Sequence, residues 1–167
     1  GQSDESGTGT GTLDLSELSS VTLGSDASPI NEVRVAYGQM SSGTLTLSNT
    51  DNLLTATALR VGDSLKSNSG SGTLVLGSGI NTIVADTVII GLYKGVGTVK
   101  FASQAAGSPG SVTISGRTRD TADFVIGSKG GMPSGAVPRG TLDLRGHTAT
   151  ITAGTVTIGR EDNSSGS

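Results

Sequence analysis

The sequence has no cysteine and no tryptophan, only two tyrosines and two phenylalanines, and a single histidine. The lack of cysteine argues against a disulfide-stapled scaffold. With aromatics at 2% of residues, few rings are left to stack bases or pyranoses. The 11 Lys and Arg are dispersed, forming no basic stripe, and the net charge is −3. Both facts weigh against nucleic acid as a partner. No apolar run approaches the roughly 20 residues that span a bilayer, so no membrane insertion is expected. The first residue is Gly1 rather than Met, as in a mature or excised chain.

Glycine is plentiful, at 27 residues, and Ser and Thr are abundant. That composition alone is compatible with disorder. The order of the apolar residues argues otherwise. Val, Ile, Leu and Ala come in short alternating runs, the period-2 pattern of half-buried strands, and no stretch carries a helical period. The chain reads as all-β.

The runs also repeat. "GTLDL" at 11–15 returns as "GTLTL" at 43–47, "GTLVL" at 72–76, "GTVKF" at 97–101 and "GTLDL" at 140–144. A second short strand follows each: "SVTL" at 20–23, "TATA" at 55–58, "TIVA" at 82–85, "SVTI" at 111–114 and "TITA" at 150–153. A third ends on glycine: "VAYG" at 35–38, "LRVG" at 59–62, "VIIG" at 88–91, "FVIG" at 124–127 and "VTIG" at 156–159. The period is roughly 30 residues, within the range of solenoids. Extra residues fall at corners (24–32, 115–123 and 128–140), where a stacked array tolerates them. The expected architecture is a right-handed parallel β-helix of about five coils with three short strands each. An antiparallel sandwich is the alternative. Residues 11–160 form the expected domain, with flexible segments at 1–10 and 161–167.

Because successive strand residues point to opposite faces, the columns can be assigned. Leu13, Leu45, Leu74, Val99 and Leu142 should point inward in strand one. Val21/Leu23, Ala56/Ala58, Ile83/Ala85, Val112/Ile114 and Ile151/Ala153 should do so in strand two. In strand three the pairs are Val35/Tyr37, Leu59/Val61, Val88/Ile90, Phe124/Ile126 and Val156/Ile158. Gly38, Gly62, Gly91, Gly127 and Gly159 should share one corner, where a missing Cβ permits a sharp bend.

The runs "LGSGINTIVADTVIIGLYKGVGTVKFA", "FVIGSK" and "GTLDLRG" resemble repeat segments of secreted bacterial proteins with autotransporter-like or pectin-lyase-like parallel β-helices. The likeness extends from about Thr12 to Gly159. It implies export and a place at the cell surface or in an extracellular matrix. It brings no catalytic residue with it.

Chemistry is sparse. His147 is the lone imidazole, and no GxSxG elbow, HExxH pair or phosphate-binding loop accompanies it. "GTGTGTL" at 7–13 leads into a strand, so no helix N-terminus is available for an anion. Asp14 and Asp143 share a column but lie four coils apart, about 19 Å at the spacing of paired strands, too far for a glycosidase pair. Asp51, Asp63, Asp120 and Asp123 read as solvated loop carboxylates without metal-ligand spacing. No cofactor or metal is expected.

Thr12, Thr44, Thr73, Thr98 and Thr141 should stack into one surface ladder. Such a ladder can be structural, sharing methyl packing and hydroxyl bonds, or it can face ice. The second outward column (Asp14, Thr46, Val75, Lys100, Asp143) spoils the flat double row that ice binding needs. Tyr93 and Lys94 are weak candidates for contacting a glycan. The expected function is therefore a non-enzymatic extracellular structural protein: a filament subunit, stalk or adhesin segment. It would associate end to end with copies of itself or with flanking coils of a longer chain. A carbohydrate-binding or ice-binding module, with a polysaccharide as possible partner, is the alternative.

Overall fold

The computed structural model describes residues 8–64, 70–102, 109–130 and 137–160. They contain thirteen strands and no helix. The first repeat holds β1 (Thr10–Asp14), β2 (Ser20–Leu23) and β3 (Ile30–Tyr37). The second holds β4 (Ser42–Thr46) and β5 (Asp51–Ser64), and the third β6 (Ser71–Leu76) and β7 (Ile80–Tyr93). The fourth holds β8 (Val96–Phe101), β9 (Ser111–Ser115) and β10 (Ala122–Ser128). The fifth holds β11 (Arg139–Asp143), β12 (Thr148–Ile151) and β13 (Ala153–Arg160). Residues 1–7 and 161–167, most of the expected flanking segments, lie outside the described residues, as do 131–136 of the long loop. The first strand starts at Thr10, one residue before the expected domain boundary.

Two parallel sheets make up the fold. One has five strands in the order β1-β4-β6-β8-β11, and the other has eight, from β2, β3, β5, β7, β9, β10, β12 and β13. Every pairing between described strands is parallel, which excludes the antiparallel sandwich. In the five-stranded sheet each strand lies beside its counterpart from the next repeat, so Leu13, Leu45, Leu74, Val99 and Leu142 form one column. Leu74 and Leu76 are completely buried, and Leu47, Leu54, Leu59, Ile83, Ile90 and Phe124 join them in one core. Stacking is what creates that core, because a single repeat has nothing to cover its apolar face.

The structure corrects the sequence reading in four places. First, strands two and three are not separate throughout. In the second and third repeats they run together as β5 and β7, each of 14 residues. These repeats have no insertion between the two strands, so the ladder continues, with Thr57/Asp86 and the corner glycines Gly62/Gly91 skipped in the pairing.

Second, the second strand of repeat two begins at Asp51 rather than Thr55. Leu23, Leu54, Ile83, Ile114 and Ile151 form its column, while Ala58 is only half-buried. Hydrophobic alternation is blind to a slip of two or four residues, since the faces stay the same.

Third, a slip of two residues affects the first repeat. Val33 and Val35, not Val35 and Tyr37, align with Leu59 and Val61. The corner residue is accordingly Ala36 rather than Gly38, and Ala36 takes the positive φ (62°) that Gly62, Gly91, Gly127 and Gly159 take elsewhere. Gly91 needs its freedom twice over. Its φ is 77°, and a Cβ there would lie 2.3 Å from the Arg139 carbonyl oxygen.

Fourth, several inward-pointing residues of the end repeats are not buried, although Val21 and Val35 are. Leu13 is 52%, Val156 61% and Ile158 74% exposed, and Tyr37 and Ile151 are exposed too. Their positions are apolar, but among the described residues no further repeat covers them.

Candidate functional site

Thr12, Thr44, Thr73, Thr98 and Thr141 are successive partners across the five-stranded sheet. Thr44, Thr73 and Thr98 are half-buried and the two end members exposed. Asp14, Thr46, Val75, Lys100 and Asp143 form the second outward column in the same register. The flat face thus carries one uniform row and one mixed, charged row.

Tyr93 and Lys94 sit at the end of β7. Tyr93 has φ 60°, and its ring lies so close to Gly130 that a Cβ there would meet Cε1 at 2.5 Å. The Lys94 backbone N–H donates to the Ser64 carbonyl at 3.3 Å. Both residues are half-buried.

Asp14 and Asp143 stay at opposite edges of the sheet. Asp143 is held by Arg145, with Oδ2 2.5 Å from Nη2 and Oδ1 2.8 Å from Nε. These side-chain bonds from Arg145 pull the Asp143 carboxyl down to about 2. His147 stacks on Phe101 with ring centroids 3.7 Å apart and planes within 2°. Its Nδ1 accepts the Gly110 N–H at 3.2 Å, placing the proton of the neutral ring on Nε2. The only imidazole thus closes the corner before β12 by stacking and capping.

Asp63 overturns the expectation of a solvated carboxylate. Its side chain is 1% exposed, Oδ2 lies 3.2 Å from Arg60 Nη1, and Oδ1 has no partner among the described residues. Burial pushes its carboxyl above the usual range despite Arg60. Arg60 Nε reaches Glu32 Oε1 at 2.6 Å, Glu32 also pairs with Arg34, and the Arg34 guanidinium lies 4.1 Å over the Tyr37 ring. Asp123, also read as a loop residue, lies on β10 and accepts from Thr155 Oγ1 at 2.9 Å.

Two polar features escaped the sequence reading. Asn52 and Asn81 are buried neighbours in β5 and β7, and Asn52 Nδ2 donates a hydrogen bond to Asn81 Oδ1 at 3.0 Å. Asn52 closes the preceding turn by accepting from Ser48 N–H at 2.9 Å and donating to Ser48 C=O at 2.7 Å. Asn81 does the same to Gly77 at 3.0 and 2.9 Å, and also donates to Ser111 C=O at 3.0 Å. The signal was present: both asparagines stand four residues after a corner residue, at a position filled by Val21 and Val112 in other repeats.

The second feature is Asp86, which anchors the loop inserted after β9. It accepts from Arg117 N–H at 2.9 Å, Thr118 N–H at 2.8 Å and Thr118 Oγ1 at 2.9 Å. Burial raises its carboxyl, but the Thr118 and Arg117 bonds together hold it below the usual range.

Among the described residues no three His, Cys, Asp or Glu side chains converge as a metal site, and no helix is long and apolar enough to cross a membrane. A cavity of about 590 Å³ lies at the N-terminal end, between β1/β4 and β3. No family model matches the chain, and no curated protein or solved structure matches it.

Proposed function

We propose that the chain is a right-handed parallel β-helix of five coils that serves as an exported, non-enzymatic structural element: a filament subunit, stalk or adhesin segment. The observation that carries this reading is the common register of all five repeats, from Thr12 to Thr141, within a stack whose apolar end residues Leu13 and Ile158 are exposed. Such an array is quasi-one-dimensional, and its length grows with the number of repeats. The well-formed polar clusters support the same reading. Asn52/Asn81, Asp86 and His147 each spend their hydrogen bonds on corners and loops of the chain itself. The resemblance to secreted bacterial repeat proteins, and with it location at a cell surface or in a matrix, belongs to this proposal.

The alternative is a carbohydrate-binding or ice-binding module, favoured by the in-register threonine row. The charged second column weighs against it, since Asp14, Lys100 and Asp143 interrupt the matching surface. Incubating the purified chain with a panel of polysaccharides should release no new reducing ends or unsaturated products, and turnover at enzymatic rates would overthrow the structural reading. A glycan array and a thermal-hysteresis measurement test the alternative, and binding or hysteresis in either would favour it.

A further inference from the structure

We propose that the two ends of the stack are a matched joint: the β11–β12–β13 end of one copy docks on the β1–β2–β3 end of a second copy, in the register of the internal repeats. This rests on the stacked-repeat reading above and adds the partner, the surfaces and the alignment.

Three observations support it. The backbone edges match first. β1 and β11 are the opposite edge strands of the five-stranded sheet, and β2/β3 and β12/β13 are the edges of the other. Each presents a row of N–H and C=O groups open to a parallel partner. β1 and β11 share the sequence GTLD, so the joint would set Thr141 beside Thr12 and Leu142 beside Leu13 of the next copy.

The apolar surfaces match as well. Val156 and Ile158 continue the columns of Phe124 and Ile126, and those columns lead through β7 and β5 to Val33 and Val35 at the other end. Inside the stack the same columns are dry: Val88 and Ile90 are buried, whereas Ile158 is 74% exposed. Facing it across the joint is the N-terminal cavity, lined by Leu13, Leu23, Val33, Val35, Leu45 and Tyr37. Two valine/isoleucine side chains entering this cavity would reproduce the packing of an internal repeat.

Charge is the third. Over the described side chains the first repeat carries Asp14, Glu17, Asp26 and Glu32 against one base, Arg34, whereas the last carries Arg139 and Arg145 against one acid, Asp143. Opposite signs on opposite ends favour unlike ends meeting and disfavour like ends. Because the two surfaces differ, the contact is heterologous and does not close on itself, so it propagates linearly.

The test uses the 167-residue chain in sedimentation velocity across a concentration series, with electron microscopy of the concentrated sample. Linear oligomers that lengthen with concentration and shorten with added salt are expected. Leu13→Lys and Ile158→Lys change exposed residues at opposite ends, and each should weaken association by more than about tenfold. Mixed together, they should form a dimer and nothing longer, since each variant keeps one sound face. A wild-type chain that stays monomeric, or variants that still elongate alone, would overturn the joint. Monomers with an intact β-sheet circular dichroism spectrum would do so while leaving the repeat stack standing. Polysaccharide turnover by chains that nevertheless polymerise would remove the non-enzymatic reading and keep the joint.

Discussion

Ala36 shows how much a single residue can depart from its repeat. Four of the five third strands bend through glycine, and the first bends through an alanine at φ 62°. A left-handed alanine costs roughly 1–2 kcal/mol, offset in part by the greater freedom glycine gains when unfolded. Ala36→Gly should therefore raise stability by up to about 1 kcal/mol, measured as a higher urea midpoint at unchanged slope. A lower midpoint would mean that the Ala36 methyl makes packing contacts worth more than the strain.

Asp63 carries the opposite kind of misfit. Burial is the first cause of its raised carboxyl, with Arg60 only partly compensating. A carboxyl raised on folding contributes stability that is fully present below its unfolded value, about 3.9, and is lost as pH rises through the folded value. Asp63→Asn should accordingly gain on the wild type as pH is raised from about 4 to 7, read from urea midpoints at each pH. If the variant lost ground over that interval, ionised Asp63 would be a net stabiliser through Arg60.

Among the elements, β6 separates inside from outside most clearly. Leu74 is fully buried while Val75, one residue on, is half-buried on the outer face. Leu74→Asp places an unpaired carboxylate in the core and should cost several kcal/mol, and Val75→Asp should cost well under about 1 kcal/mol. Comparable losses for both in thermal melts would contradict the face assignment. Alternation within "GTLVL" makes this division legible from sequence, because the pleat offers only two faces. The start of β5 was not legible in the same way: Leu54 and Ala56 both fit the core, and pairing with β7 chose between them.

The turn into β7 depends on Asn81. Alanine there would strip partners from Gly77 N–H, Gly77 C=O and Ser111 C=O in buried surroundings. Asn81→Ala should cost about 1–3 kcal/mol. Its effect should be smaller in an Asn52→Ala background, because the two amides share a bond. Strict additivity in that double-mutant cycle would show the pair to be energetically separate.

At the scale of the whole molecule, the middle repeats are covered on two sides and the end repeats on one. Val88, Ile90 and Leu74 are buried where Val156, Ile158 and Leu13, in the same columns, are exposed. In a stack held by nearest-neighbour contacts, opening should begin at the uncovered ends. Amide exchange in dilute solution should thus be slowest in β5 to β8 and fastest in β1 to β3 and β11 to β13. At concentrations where copies join end to end, β1–β3 and β11–β13 should become protected together. Uniform protection in dilute solution would mean the ends are capped already.

The sequence by itself determined the β class, the five repeats, the threonine row and the faces of the strands. All of these follow from periodicity and the two-faced pleat. Tertiary structure decided the rest. Which residues pair across repeats depends on where an insertion interrupts a strand, so fusion of strands into β5 and β7 and the register slips emerged only from the ladder. Whether a carboxylate is solvated depends on what stacks above it, which buried Asp63 and bound Asp86 to a loop about 30 residues further on. And apolar residues such as Leu13 and Ile158 read like core residues in sequence; they are exposed because burial belongs to the neighbour, and among the described residues the first and last repeats each have one on a single side.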